Sequence, residues 1–161
     1  MNLIAKLLAP PDVTLDLEPS SKKRVFEQVG LLFENNHQIA RSQVYESLFA
    51  REKLGSTGLG KGIAIPHGRI KGLKEAVGAL LRLRQPLPFD APDGQPVGLI
   101  FALLVPDRAT DAHLEILSEL AQMFSDRTFR ERLLAAPTAA ELHQLITHWE
   151  PHAAGQHSPV V

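Results

Sequence analysis

His67 stands between Ile63-Ala64-Ile65-Pro66 and Gly68-Arg69. A strand ended by Pro66 and relieved by Gly68 holds an imidazole at a sheet rim with little conformational freedom. That setting suits a nucleophile. A neutral histidine can accept a phosphoryl group on one ring nitrogen while a hydrogen bond on the other fixes the tautomer. By residue type alone, an isolated histidine at a strand end is more often structural, so its neighbours decide the weighing. Directly upstream, Gly55–Gly62 has four glycines in eight residues, and successive glycines let backbone amides turn toward an anion. Arg51 stands just ahead of that loop, where a guanidinium can grip a phosphate bidentately. The plainer reading is a cation complementing a helix C-terminus. His113 lies near the start of a helix that follows the most buried strand, and ligands gather at such places in open α/β sheets. It shares a helical face with Ile116, Leu117 and Leu120, so a buried, hydrogen-bonded spectator is the competing account.

Two other chemistries fit less well. Gly55 through Lys61 matches the first seven positions of a P-loop, but the eighth, which should offer a magnesium-binding hydroxyl, is Gly62. The order is also reversed, because this loop leaves a helix and enters a strand. His143, His148 and His152 have a metal-like spacing, yet Pro151 falls inside the pair four apart and no carboxylate pattern supports them. A solvated face and tail is the better reading, and no metal or cofactor is expected.

The elements that must position these residues follow from periodicity. Leu3, Ile4, Leu7 and Leu8 form one or two amphipathic turns, and Val13–Leu17 alternates like a short edge strand. Ser20-Ser21 offers an N-cap for a helix over 22–35 with Val25, Val29, Leu32 and Phe33 on one face. Ser42 caps a second helix over 43–53. Ile63–Ile65 is a short strand, 76–84 a half-buried strand, and 85–96 a proline-rich turn region. Val97–Val105, nine residues without a charge, is the most buried strand. A helix over 110–124 presents Leu114, Leu117, Leu120, Ala121 and Phe124 inward, Asp126 caps a shorter helix through Leu134, and Thr138-Ala-Ala-Glu141 opens the last one as a capping box. The pattern predicts an α/β fold with a short sheet covered by helices.

Composition bounds the rest. The chain has 161 residues, 17 Lys and Arg against 18 Asp and Glu, a formal net charge of −1, and no cysteine. That length predicts a single domain over 1–150, with 151–161 a flexible tail. Near-neutral charge argues against an obligate nucleic-acid binder. The absence of cysteine removes disulfides and thiol nucleophiles and fits a reducing cytoplasm. The apolar amino-terminal stretch is broken by Lys6 and Pro10-Pro11, too short for a membrane span or a signal peptide, so no membrane insertion is expected.

The nineteen residues from Arg51 to Arg69, REKLGSTGLGKGIAIPHGR, closely resemble the phosphorylation-site motif of the fructose/mannitol-type (type-2) enzyme IIA domains of the bacterial phosphoenolpyruvate-dependent phosphotransferase system. Phe89-Asp90, Pro96-Val97, Phe101-Ala-Leu-Leu-Val-Pro106 and His113-Leu114 extend the similarity over about residues 20–148. The Arg-Glu-Lys-x-Gly-Ser-Thr-Gly opening is most similar to the nitrogen-regulatory branch. The resemblance implies a mixed β-sheet sandwiched between α-helices, and a phosphotransferase component with a phosphohistidine intermediate at His67. It places Arg51 and His113 as the supporting arginine and second histidine, with Thr57, Gly58, Gly60 and Gly62 in the phosphate-binding loop. Lys61 departs from the pattern, standing where a small polar residue is usual.

It further implies a histidine phosphocarrier protein of the nitrogen phosphotransferase branch as donor, and regulatory targets such as potassium-transport or sensor-kinase proteins engaged according to phosphorylation state. Two alternatives stand beside it. One is an enzyme IIA delivering phosphoryl groups to a fructose/mannitol-type sugar permease. The other, from a different class, is a nucleotide- or ligand-sensing domain that uses the glycine loop and Lys61.

Overall fold

Side chains along the uncharged run Val97–Pro106 enter two separate apolar cores. Leu99, Phe101, Leu103 and Val105 join one; Ile100, Ala102 and Leu104 join the other. A strand with period-two alternation and both faces buried must lie between two helical layers. In the computed structural model, which describes residues 2–108 and 111–150, it does. The strands are β1 (Val13–Leu17), β2 (Gly58–Gly60), β3 (Ile63–Ala64), β4 (His67–Ile70), β5 (Val77–Leu87) and β6 (Val97–Pro106). The helices are α1 (Lys22–His37), α2 (Arg41–Glu52), α3 (Asp111–Ser125), α4 (Arg127–Ala135) and α5 (Ala139–His148). One sheet has the order β1-β5-β6-β3-β2, with β4 continuing along the same edge of β6 as β3. It is mixed: β1 runs parallel to β5, β3 and β4 parallel to β6, and the other pairs are antiparallel. Helices α1 and α2 bury Val25, Phe26, Phe33, Val44 and Leu48 on one face. Helices α3 to α5 and the amino-terminal turn cover the other with Ile4, Leu8, Leu120, Phe124, Leu133 and Ile146.

Several boundaries differ from expectation, each for a local reason. Helix α1 runs two residues beyond Asn35 because Gln38 takes the left-handed cap conformation, with φ of 56°. Behind that cap, the buried Asp12 carboxylate accepts from Asn36 Nδ2 at 2.8 Å and lies 2.7 Å from His37 Nε2. Ser42 does not cap α2. Instead the Glu34 carboxylate of α1 accepts from Arg41 N at 3.1 Å and from Arg41 Nε at 2.9 Å, and those donors hold the Glu34 pKa below its usual value. Strand β5 continues through Gln85-Pro86 to Leu87, where a register shift against β6 accommodates the proline. Its first half is fully buried rather than half-buried, since helices lie on both faces.

Helix α3 keeps part of the expected face. Leu120 and Phe124 are buried and Leu117 packs against the core as expected, and Ile116 and Met123 join them, whereas Leu114 is 60 % exposed and Ala121 is exposed in the lining of the His67 cleft. The expected start at Thr110 and the tail after Glu150 lie outside the described residues. Asp126 and Thr138 cap α4 and α5 through the amides of Phe129 and Glu141.

Candidate active site

The sequence pattern ends a strand at Pro66; the structure resumes one at His67. Pro66 has no N–H to give, but its carbonyl accepts from Leu103 N at 2.9 Å, so the ladder along β6 continues past it. His67 is the first residue of β4 and pairs with Leu103. Paired residues share a face, so the imidazole points to the α3 side of the sheet with Leu103. The following residue favours glycine: a Cβ at Gly68 would collide with the Ser47 side chain of α2 unless the two moved apart. Ser47 Oγ in turn donates to Arg69 O at 2.9 Å, clamping β4 to α2.

His67 Nδ1 lies 2.9 Å from the Ile65 carbonyl oxygen. A carbonyl only accepts, so Nδ1 carries the proton of the neutral ring and Nε2 holds the free lone pair. The His67 pKa is lowered from 6.5, first by burial and then by the charges of Arg51 and His113; the Ile65 bond and Glu52 act the other way. The ring is therefore neutral at pH 7, with its tautomer fixed and its nucleophilic nitrogen defined.

A cleft of about 340 Å³ holds His67. Arg51, Thr57 and Gly58 line one side, with Leu117 and Ser118 of α3 opposite. Arg51 Nη1 donates to Gly55 O at 2.8 Å, which lays the guanidinium along the loop. His113, on α3, is not in the cleft lining but lies near enough for its charge to act on His67; its Nδ1 is buried with no hydrogen-bond partner among the described residues. Leu59, 46 % exposed, lies in the lining of the cleft.

The glycine loop divides. Thr57 and Gly58 belong to the cleft, but Gly60 and Gly62, both with positive φ, flank the hairpin turn between β2 and β3. Loop amides are already engaged: Thr57 N with Glu52, Gly58 N with Ser56 Oγ at 3.0 Å, and Lys61 N with Asp93 Oδ2 at 2.7 Å. Lys61 sits at the hairpin tip in a left-handed conformation, exposed and outside the lining of the His67 cleft. His143 Nε2 donates to Leu8 O and His148 Nδ1 to Gln144 O, each at about 3 Å; His152 lies outside the described residues. Among those residues no cluster is placed to hold a metal ion, and no helix is long and apolar enough to cross a membrane.

Glu52 and Lys22 were not singled out by sequence reasoning. Glu52 accepts from Thr57 Oγ1 at 2.6 Å and from Lys22 Nζ at 2.9 Å. The signal was there: an acid in the last turn of a helix opposes the dipole and calls for an explanation.

A mixed sheet between two helical layers carries, in one cleft, a histidine fixed by a backbone carbonyl together with an arginine. The family described as phosphoenolpyruvate-dependent sugar phosphotransferase system, EIIA 2, matches residues 6–149, and the chain belongs to it. Within that family the chain falls in the nitrogen-regulatory branch. A nitrogen regulatory protein of Pseudomonas aeruginosa is 44 % identical over 144 residues, covering 89 % of this chain and 94 % of that protein. One from Escherichia coli K12 is 46 % identical over 131 residues, covering 81 % and 80 %. The crystal structure of nitrogen regulatory protein IIA-Ntr from Neisseria meningitidis, 53 % identical, has a TM-score of 0.86 and covers 90 % of this chain and 99 % of that one. IIA mannitol from Escherichia coli, at 19 % identity and a TM-score of 0.72, covers 86 % and 97 % and shares the fold.

Proposed function

We propose that Nε2 of His67 accepts a phosphoryl group from the phosphohistidine of a histidine phosphocarrier protein, and that the resulting phosphorylation state governs which partner proteins this chain binds. The observation that carries the reading is the His67 ring itself: neutral, fixed by Ile65 O, and set in a cleft beside Arg51. In the step, the Nε2 lone pair forms the new P–N bond as the donor's P–N bond breaks, and that electron pair returns to the donor nitrogen. Charge spreads over the three equatorial oxygens of a loose transition state. In this reading Arg51 and His113 stabilise it electrostatically, supported by the action of both charges on His67. Exposed Leu59, which lines the cleft, gives a protein donor an apolar surface to meet. Phosphorylation then adds about two negative charges beside that surface, which is sufficient to change partner preference.

The test is intact mass after incubation with phosphoenolpyruvate, enzyme I and the phosphocarrier. One acid-labile phosphoryl increment is expected in the wild type, and none in a folded His67→Ala. Undiminished acceptance by that variant, or none by the wild type from a charged carrier, refutes the reading.

A further inference from the structure

Two charges stand at the wrong ends of their helices. Lys22 opens α1 and Glu52 closes α2, whereas the dipole favours anions at the start and cations at the end. Both are largely withdrawn from water, with side chains 20 % and 5 % exposed. Desolvating such a pair commonly costs more than its attraction returns. The pair's other contacts lead to the His67 cleft. Both Glu52 oxygens accept from Thr57 N, at 3.2 and 3.3 Å, and Oε1 also accepts from Thr57 Oγ1. Thr57, in the wall of the His67 cleft, thus hangs from a single carboxylate, and Gly58 follows it in the chain with its N–H on Ser56 Oγ. Lys22 Nζ holds that carboxylate, meets Asp90 Oδ2 at 3.2 Å and lies 5.0 Å from the centre of the Phe89 ring. Ser56 Oγ donates to Phe89 O at 2.8 Å, which closes the frame.

We propose that Glu52, locked by Lys22, is a positioning residue for phosphoryl transfer at His67, fixing the Thr57–Gly58 wall that faces α3 across the cleft. The proposal rests on the reading of His67 given above. Glu52 acts on Thr57 directly, and its charge also favours the protonated form of His67, in opposition to Arg51 and His113. A misplaced wall lowers the rate at saturation more than it weakens carrier binding, because orientation matters most in the transition state.

The experiment uses the full chain and measures three quantities. They are the maximal rate and half-saturating carrier concentration of His67 phosphorylation by rapid quench, amide hydrogen exchange at Thr57, and the His67 titration midpoint. Glu52→Gln is expected to slow the maximal rate by about tenfold to a hundredfold with the half-saturating concentration within about twofold. It should also speed Thr57 exchange and lower the His67 midpoint. The double variant Glu52→Gln/Lys22→Met, which leaves no unpaired charge, should fold and remain slow. Thr57→Val alters no charge and should cost about threefold to tenfold in maximal rate, so it decides the question even where a charge variant does not fold. A wild-type rate in folded Glu52→Gln or in Thr57→Val overturns the proposal, as does unchanged Thr57 exchange. If the wild type takes no phosphoryl group at all, the His67 reading fails instead. Thr57 exchange then still reports whether Glu52 holds the wall.

Discussion

At His67 burial and charge act together, and the sign of the pH dependence follows. The folded pKa lies below 6.5, the ordinary value, which the unfolded chain keeps. As pH falls below 6.5 the unfolded chain takes the proton first. This group's contribution to stability is therefore complete above 6.5 and is lost as pH falls through the folded midpoint. Phosphoryl acceptance, which needs the neutral ring, should persist below pH 6.5 and fail only at the lower midpoint. Arg51→Met, by removing one of the charges that disfavour the imidazolium, should raise that midpoint. Imidazole proton shifts followed by NMR report both, and a wild-type midpoint at or above 6.5 contradicts the account. Much of the candidate cleft was legible at this scale, because a histidine after Pro66 and an arginine before a glycine loop stand out by type, and the two share its lining. The carboxylate behind Thr57 was not. A buried Glu52 and a solvated one have the same letter, and only the fold brings Lys22, thirty positions earlier in sequence, to meet it.

Among the elements, α2 and β4 are the pair on which the site depends, and Gly68 sets how closely they approach. Gly68→Ala should destabilise the protein by about 2 kcal/mol through forced separation of helix and strand. Ser47→Ala, which removes the nearest obstructing atom, should recover part of that loss in the double variant. Urea unfolding of the four species measures it, and simple additivity would show that the two residues do not press on each other. Helix positions were readable from apolar spacing and caps, as Ser21, Asp126 and Thr138 show. What escaped were features whose cause lies in another element. Arg41 is capped by Glu34 from the preceding helix, β4 exists because β6 offers it a ladder edge, and α3 turns Leu114 outward because Ile116 and Met123 fill the core better. Single-strand alternation could not reveal β4, which has only four residues and two of them, Gly68 and Arg69, unlike strand formers.

For the whole molecule, the sheet separates two cores that share β5 and β6 but little else. The α1–α2 core is assembled from residues within the first 106 positions. Its counterpart is closed from both ends of the chain: Ile4 is fully buried among the α3–α5 side chains, and Asn2 Nδ2 donates to Ile146 O at 2.9 Å and Trp149 O at 2.7 Å. Ile4→Ala should therefore cost about 2–4 kcal/mol, as a cavity at the meeting point of several elements. A denaturation midpoint unchanged from wild type would mean that the amino-terminal turn merely rests on the surface. The same tie has a consequence for biosynthesis. Asn2 waits for Trp149 to be made, and at about 5–20 residues per second that delay is roughly 7 to 30 s. During it the α1–α2 side can already close, while Leu99, Phe101 and Leu103 face out with nothing over them. A stalled or clipped nascent chain would then carry one finished side and one sticky side, the kind of species that chaperones and proteases meet first.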